Sequence, residues 1–504
     1  MRAIQKICAA AALALVAALL AANLYRAWTQ SITADEAFTY NLFLDGAPAK
    51  LFNSYDAAHH VFHTLLCKVF ISLFGLSEFT LRIPSLLGGL LYLATAYRLS
   101  RNLFGRGFLL LLSVALLTLN PFVLDHLSAA RGYGLAAGLF LWALYHASRY
   151  TAESHLPGQP VDVRPIRKVA FGLALSVASN LTLLLPAAGL TAVFLSLLLL
   201  DGYRRRDRSF FAAAVDSLVV PSTVTAFVIV ILPLLKARMD HFYVGAPELG
   251  ETVRSLIGPS LFHHEISWLG PYHPKLVSWT ITILEKALVP AVLLLAAVAF
   301  ASVLVRWLRA KDFSELKALD QFLYLTGGSI LIALGLAVAA HRARGVLYPV
   351  ARTGLYLIPL FVLAALALWK RVEDRRWLSL TILPPLLTVA LLCVGQFTLQ
   401  FQANHYGQWR YDAGTRAIVS HIRRLHRDRP DKPVRLGISW LLEPSINFYR
   451  KMYRLDWMAP VTRDGPKGRY DFYVLLPPET SLIKEMGLSV LHRDPLSEAV
   501  LAAP

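Results

Sequence analysis

The stretch His59-His60-Val61-Phe62-His63-Thr64-Leu65-Leu66-Cys67-Lys68-Val69-Phe70-Ile71-Ser72-Leu73-Phe74-Gly75 decides how the rest of the chain is threaded. It looks helical, yet it is short for a membrane crossing and carries three histidines and Lys68. If it crossed, every later connection would change sides. Read as an amphipathic helix lying at an interface, it leaves the later loops where their charges belong.

Composition sets the wider frame. The chain has 504 residues, 56% hydrophobic and 16% charged, with mean hydropathy +0.51. A soluble chain would carry about a quarter charged residues, so a polytopic membrane protein is expected. The +18 net charge falls in short clusters between apolar runs rather than on one face, which argues against a nucleic-acid partner. Cys8, Cys67 and Cys393 lie far apart in apolar stretches, so neither a disulfide framework nor a zinc site is indicated.

Eleven spans are expected, at 7–24, 81–98, 108–124, 134–148, 169–181, 184–201, 210–235, 287–305, 319–340, 350–369 and 377–399. The basic start and apolar run of 1–22 fit either a cleaved signal peptide or an uncleaved first helix. The helix is the reading adopted, and both put the next residues outside. With the N-terminus inside, the cytoplasmic connections hold basic clusters: Arg98, Arg101 and Arg106; Arg149, Arg164, Arg167 and Lys168; Arg204, Arg205, Arg206 and Arg208; Arg306, Arg309, Lys311 and Lys317; Lys370, Arg371, Arg375 and Arg376. This is the positive-inside pattern. A second interfacial element is expected at 274–286, from Trp279, Glu285 and Lys286. Beyond 400 the composition turns polar, giving an outer domain of about a hundred residues. It reads as helix (409–427), strand (434–439), helix (442–453) and strand (471–476). The expected architecture is therefore an all-α polytopic membrane domain (1–400) with a small α/β extracytoplasmic domain (401–504).

Chemistry concentrates in the first outer loop, 25–80. Thr33-Ala34-Asp35-Glu36 follows the first span directly. It is a good helix start, an N-cap and first-turn acid for an interfacial helix beginning near Ala37 with Glu36 as capping partner, and it also offers a general base at the membrane surface. Both readings hold together if Glu36 caps while Asp35 faces a cavity. His59 and His63, four apart, share a helical face. They suit either substrate hydrogen bonds, with His60, or a divalent metal held with a carboxylate such as Asp35 or Asp56. Arg82, Arg131, Arg342, Arg344 and Arg352 fall at outer helix ends, where snorkelling is the bland alternative to phosphate binding. Five arginines on the side that the charge rule depletes favour phosphate for at least two. A base and phosphate-binding cations suit sugar transfer from a polyprenyl phosphate, whose phosphate already leaves well.

These residues resemble a known family. Thr33–Glu36, Asn53, His60–Leu66, Leu73-Phe74-Gly75-Leu76-Ser77-Glu78 and Leu81-Arg82-Ile83-Pro84-Ser85 resemble the first loop of GT-C fold glycosyltransferases. The nearest group is the protein O-mannosyltransferase and aminoarabinose transferase group, family 39-like. Ala129-Ala130-Arg131-Gly132-Tyr133-Gly134 resembles its second outer-loop motif and Leu103-Phe104-Gly105 its cytoplasmic turn. The match covers roughly 30–145, is weaker at 348–359, and is not specific beyond. It implies Asp35 as the catalytic acid position with Glu36 its partner, and Arg131 holding the first loop or the donor phosphate; Tyr133 stands in the same motif. It departs at His59-His60-Val61, where many relatives have a His/Lys-Pro-Pro run, which leaves donor, acceptor and metal use open. The expected partners are a polyprenyl-phosphate sugar, an extracytoplasmic acceptor and membrane lipid, in a bacterial-type inner membrane. The alternative is a flippase of lipid-linked saccharides, which should place charges or helix breaks at mid-membrane in matching halves. Here the spans are nearly free of charge and no repeat is visible.

Overall fold

Small residues let the helices meet. A Cβ added at Gly88 would lie 2.3 Å from the Leu135 Cα, and one at Gly138 would lie 2.4 Å from the Gly88 carbonyl oxygen. Helices Glu78–Phe104 and Tyr133–Ala152 therefore touch backbone to backbone, as apolar helices do where lipid gives no hydrophobic drive to associate. The computed structural model describes residues 2–47, 50–53, 55–152, 162–205, 208–238, 244–264, 266–267, 270–310, 313, 316–373, 376–427 and 433–504. Arg206, Lys311 and Arg375 of the expected basic connections lie outside them.

Each of the eleven expected spans is helical over most of its length. Seven helices among the described residues are long and apolar enough to cross a membrane, and the pair Phe108–Thr118 and Pro121–Ser128, bent by 64°, counts as an eighth when taken as one broken span. The bend follows from Asn120-Pro121. Proline has no N–H to give and keeps its predecessor extended, and the Asn120 side chain accepts from Val123 N at 3.2 Å to restart the helix. The remaining spans, Tyr133–Ala152, Arg164–Ser179 and Leu357–Glu373, are shorter or more polar, and many of their residues are buried among neighbours. Helix Val61–Phe74 has 14 residues, about 21 Å, well short of a hydrocarbon core of roughly 30 Å.

Two expectations need correction. The element at 274–286 is not separate. Through a π-helical turn at Leu284–Leu288 it runs into one continuous helical stretch, Pro274–Arg309. Its Glu285 pairs with Arg254 at 3.0 Å, on a helix (Leu249–Leu261) that falls inside the expected 236–286 loop. The span expected from 350 starts later, because a short 3₁₀ turn, Ala351–Gly354, precedes helix Leu357–Glu373.

After the last span, a 3₁₀ turn (Gly407–Asp412) and helix Thr415–Arg427 replace the single helix expected from 409. The terminal unit has four strands, Leu436–Ile438, Phe472–Leu475, Ser489–Arg493 and Val500–Ala503. The first pairs parallel with the second; the fourth lies antiparallel between the second and third. This unit shares its core with the first loop. One apolar cluster joins Ile32, Ala37, Phe43 and Leu51 to Ile418, Ile446, Phe448 and Leu501. The loop that carries Asp35 is thus clamped between the helical bundle and the C-terminal sheet.

Candidate active site

The helix that bears the acidic pair is only six residues, Ala34–Thr39, and its start is fixed atom by atom. Three successive backbone amides are taken by three different groups. Ile32 N donates to the Tyr449 hydroxyl at 2.8 Å, Thr33 N to Glu36 Oε2 at 2.9 Å, and Ala34 N to Asp412 Oδ2 at 2.6 Å. Glu36 N returns a bond to Thr33 Oγ1 at 3.2 Å, which completes the capping box read from the sequence. A six-residue helix cannot hold itself in water, so tertiary bonds must define it.

Helical geometry then sends the two acids in different directions. Glu36 turns inward and is fully buried. Arg82 donates to it from Nε (2.8 Å) and Nη2 (2.7 Å), and Ala130 N donates at 2.5 Å. Burial pushes the Glu36 carboxyl up, but Arg82 and the two amides outweigh it and hold it below the usual carboxylate value. The remaining Arg82 donors go to the carbonyls of Ala27, Gln30 and Ser31, so all five N–H groups are placed.

Asp35 faces a cavity of about 640 Å³ and keeps 28% of its side chain exposed. Arg352 Nη1 meets its Oδ2 at 2.5 Å. Burial raises its carboxyl, but Arg131, Arg352 and a hydrogen bond from Trp409 prevail and hold it below the ordinary value. Arg131 Nη1 also donates to the Asp35 carbonyl (3.2 Å) and to Thr39 Oγ1 (3.0 Å), tying the 129–132 turn to the acidic helix. Ala351, next to Arg352, has φ +45°, a left-handed conformation that costs an alanine about 1–3 kcal/mol. Its amide is held by Ser255 Oγ at 2.8 Å.

The structure gathers some expected residues and scatters others. Asp35, His59, His60, Arg131, Tyr133 and Arg352 line the cavity. Glu36, His63, Arg82 and Arg344 do not. His63 is buried and bonds Ser85 Oγ at 2.9 Å, with the Cys67 sulfur 3.7 Å from its Nδ1. Arg82 is consumed by Glu36, and Arg342 and Arg344 are exposed at the end of helix Ala318–Arg344. His59 stacks on Phe43, ring centroids 4.0 Å apart. A metal held by Asp35, His59 and His63 is therefore not assembled: among the described residues, no three His, Cys, Asp or Glu side chains come together to hold one.

The C-terminal unit supplies wall residues that the sequence reading missed: Tyr411, Trp440, Pro444 and Arg463, the last over the Phe38 ring at 5.8 Å. Behind them Asp412, bonded also to Ser445 Oγ at 2.7 Å, is pushed up to about 8 by burial. The one available signal was the aromatic and charged run Tyr406-Gly-Gln-Trp-Arg-Tyr-Asp412, directly after the last span. A second cavity, about 280 Å³, lies among Leu256, Val292, Phe361, Trp369 and Phe397, and its described lining carries no charge.

Bundle and cavity together define a polytopic membrane protein that collects acid, cations and aromatics at one end of its spans. Among solved structures, the chain is similar to GT-C fold membrane glycosyltransferases. One is ArnT from Cupriavidus metallidurans bound to undecaprenyl phosphate, at 15% identity over 97% of each chain, TM-score 0.41. Another is the archaeal oligosaccharyltransferase AglB from Archaeoglobus fulgidus, in complex with an inhibitory peptide and a dolichol-phosphate. It is 13% identical over 87% of this chain and 63% of that one, TM-score 0.47. A third is the arabinosyltransferase EmbB from Mycobacterium smegmatis, at 13% identity over 70% and 30%, TM-score 0.39. No family model and no curated protein matches the chain. With these three TM-scores below 0.5, what the protein does has to be read from its own residues.

Proposed function

We propose that the protein is an integral membrane glycosyltransferase. It moves a sugar from a polyprenyl-phosphate donor to an extracytoplasmic acceptor, which is a glycan, a glycolipid or a protein. The observation that carries this reading is Asp35 in the cavity wall, partly open to solvent, with Arg352 on its carboxylate and Arg131 behind it.

In the reaction, the acceptor hydroxyl oxygen bonds to the anomeric carbon as that carbon's bond to the phosphate oxygen breaks. Asp35 takes the hydroxyl proton, and polyprenyl phosphate leaves with the bonding electrons toward Arg352 and Arg131. An acid paired with arginine is ionised but weakly basic. Donor phosphate competing for Arg352 would free Asp35 and raise its basicity when substrate is in place. The neighbouring apolar wall, from Leu181, Leu184, Leu185 and Ala340, suits a lipid-linked donor. The positive-inside pattern supports an inner-membrane orientation with the N-terminus cytoplasmic and the cavity outside.

The test is transfer from a panel of radiolabelled polyprenyl-phosphate sugars by purified protein in detergent, beside Asp35→Asn. Turnover of one donor, lowered about 10²–10⁴-fold in the variant, is expected of a general base. Inactivity with every donor, together with movement of a labelled lipid-linked oligosaccharide across proteoliposomes, would replace this reading with the flippase.

A further inference from the structure

Three residues that line the cavity each carry a buried polar atom with no hydrogen-bond partner among the described residues: His60 Nε2, Arg131 Nε and Asn180 Nδ2. Their residues are 5%, 3% and 1% exposed. Buried polar atoms in folded proteins are nearly always bonded, and leaving one unmet costs more than a hydrogen bond normally returns. Three on residues that line one cavity point to a ligand.

They are also brought close by a specific packing device. A Cβ at Gly132 would lie 2.0 Å from the Ser179 carbonyl oxygen and 2.7 Å from His60 Cβ. Only a glycine lets the 131–133 backbone pass between the Ser179-Asn180 turn and the His60 ring. The His60 ring in turn meets the Tyr133 ring edge-on at 5.2 Å. The direction of the Asn180 amide is fixed, because its Oδ1 accepts from Thr182 N (3.0 Å) and Thr182 Oγ1 (2.8 Å). The end left over is the NH₂ donor.

We propose that His60, Asn180 and the Nε of Arg131 form the subsite that reads the ring hydroxyls of the transferred sugar. This rests on the glycosyl transfer proposed above. Asn180 carries no charge. Burial, then Arg131, His63, His59 and Arg352, hold His60 well below its ordinary pKa, so it too is neutral at physiological pH. The neutral Asn180 amide and His60 ring match hydroxyls, with the Arg131 Nε–H as a further donor, whereas an anionic phosphate is better served by the terminal guanidinium nitrogens of Arg352 and Arg131. Tyr133 and Tyr55 on the same lining offer aromatic surface for the ring carbons.

The experiment measures kcat and KM of the full-length protein with the donor it turns over, and with analogues of that donor each lacking one sugar hydroxyl. Asn180→Ala should raise KM for the parent donor about tenfold while moving kcat less. Against one deoxy analogue the variant and the wild type should become equal, because the bond is already gone. Affinity for sugar-free undecaprenyl phosphate should be unchanged by Asn180→Ala and lowered by Arg352→Ala. An equal loss on every donor, no loss on any, or an equal loss of affinity for the sugar-free lipid would overturn the assignment. If Asn180→Ala does not fold, Asn180→Asp replaces it, since it keeps the bonds to Thr182 and lacks the donor. A wild type inactive on all donors would instead overturn the proposed transfer, and this subsite with it.

Discussion

Asp35–Arg352 and Glu36–Arg82 are adjacent ion pairs of the same chemical type, and they differ in how far they are open to solvent. Around Glu36 every contact is spent: two bonds from Arg82, two from backbone amides, and three further Arg82 donors on carbonyls. Around Asp35 one carboxylate oxygen meets Arg352 Nη1, both partners are 28% exposed, and Arg352 sits on a strained turn. A saturated pair gives up nothing to a ligand and fixes geometry. A pair open to a cavity can trade partners with what enters it, which is what chemistry needs.

The sharpest way to break the comparison is to remove Arg82. Arg82→Met leaves a fully buried carboxylate alone and should cost about 3–5 kcal/mol, read as a large fall in the unfolding midpoint. A variant that melts like the wild type would show that the inner pair is not structural. Arg352→Ala should melt nearly as the wild type but weaken donor binding about tenfold. It also removes a cation that lowers the Asp35 pKa, so the acid limb of the pH–rate profile should move to higher pH. A limb that stays in place would separate Arg352 from the base.

A pH-dependent effect concerns Asp412, which anchors Ala34 from the C-terminal unit. Its folded pKa, about 8, lies above the ordinary carboxyl value, so the folded state keeps a proton that the unfolded chain releases. Stability from this residue therefore falls as pH rises from about 4 to about 8, then levels off. Asp412→Asn should flatten that slope and leave the variant relatively more stable at pH 8 than at pH 5. An unchanged slope, followed by thermal unfolding across pH, would place the titration elsewhere.

What the sequence showed and hid follows from the range of the contacts. The capping box spans three residues, so Thr33 and Glu36 declared it, and the apolar runs declared the spans. Arg82 and Arg131 look alike in sequence, at the outer ends of helices. Only their partners, 46 residues away for Arg82 and 96 for Arg131, separate a structural arginine from one in the cavity wall. Asp412 acts on Ala34 across 378 residues, beyond any local pattern. The strand Val500–Ala503 went unseen because Ala-rich runs have little β preference, and its place between two strands comes from burial. Helix Pro274–Arg309 was cut short because Glu285 and Lys286 look like the end of an interfacial element, although the helical stretch runs on through them.

The most direct test of the central claim sets Asp35→Asn beside Glu36→Gln and measures donor turnover per folded molecule, with the folded fraction taken from thermal unfolding. Asp35→Asn should fold as the wild type does and lose nearly all turnover. Glu36→Gln should lose folded protein, and the molecules that remain folded should turn over at close to the wild-type rate. Undiminished turnover in Asp35→Asn would contradict the account.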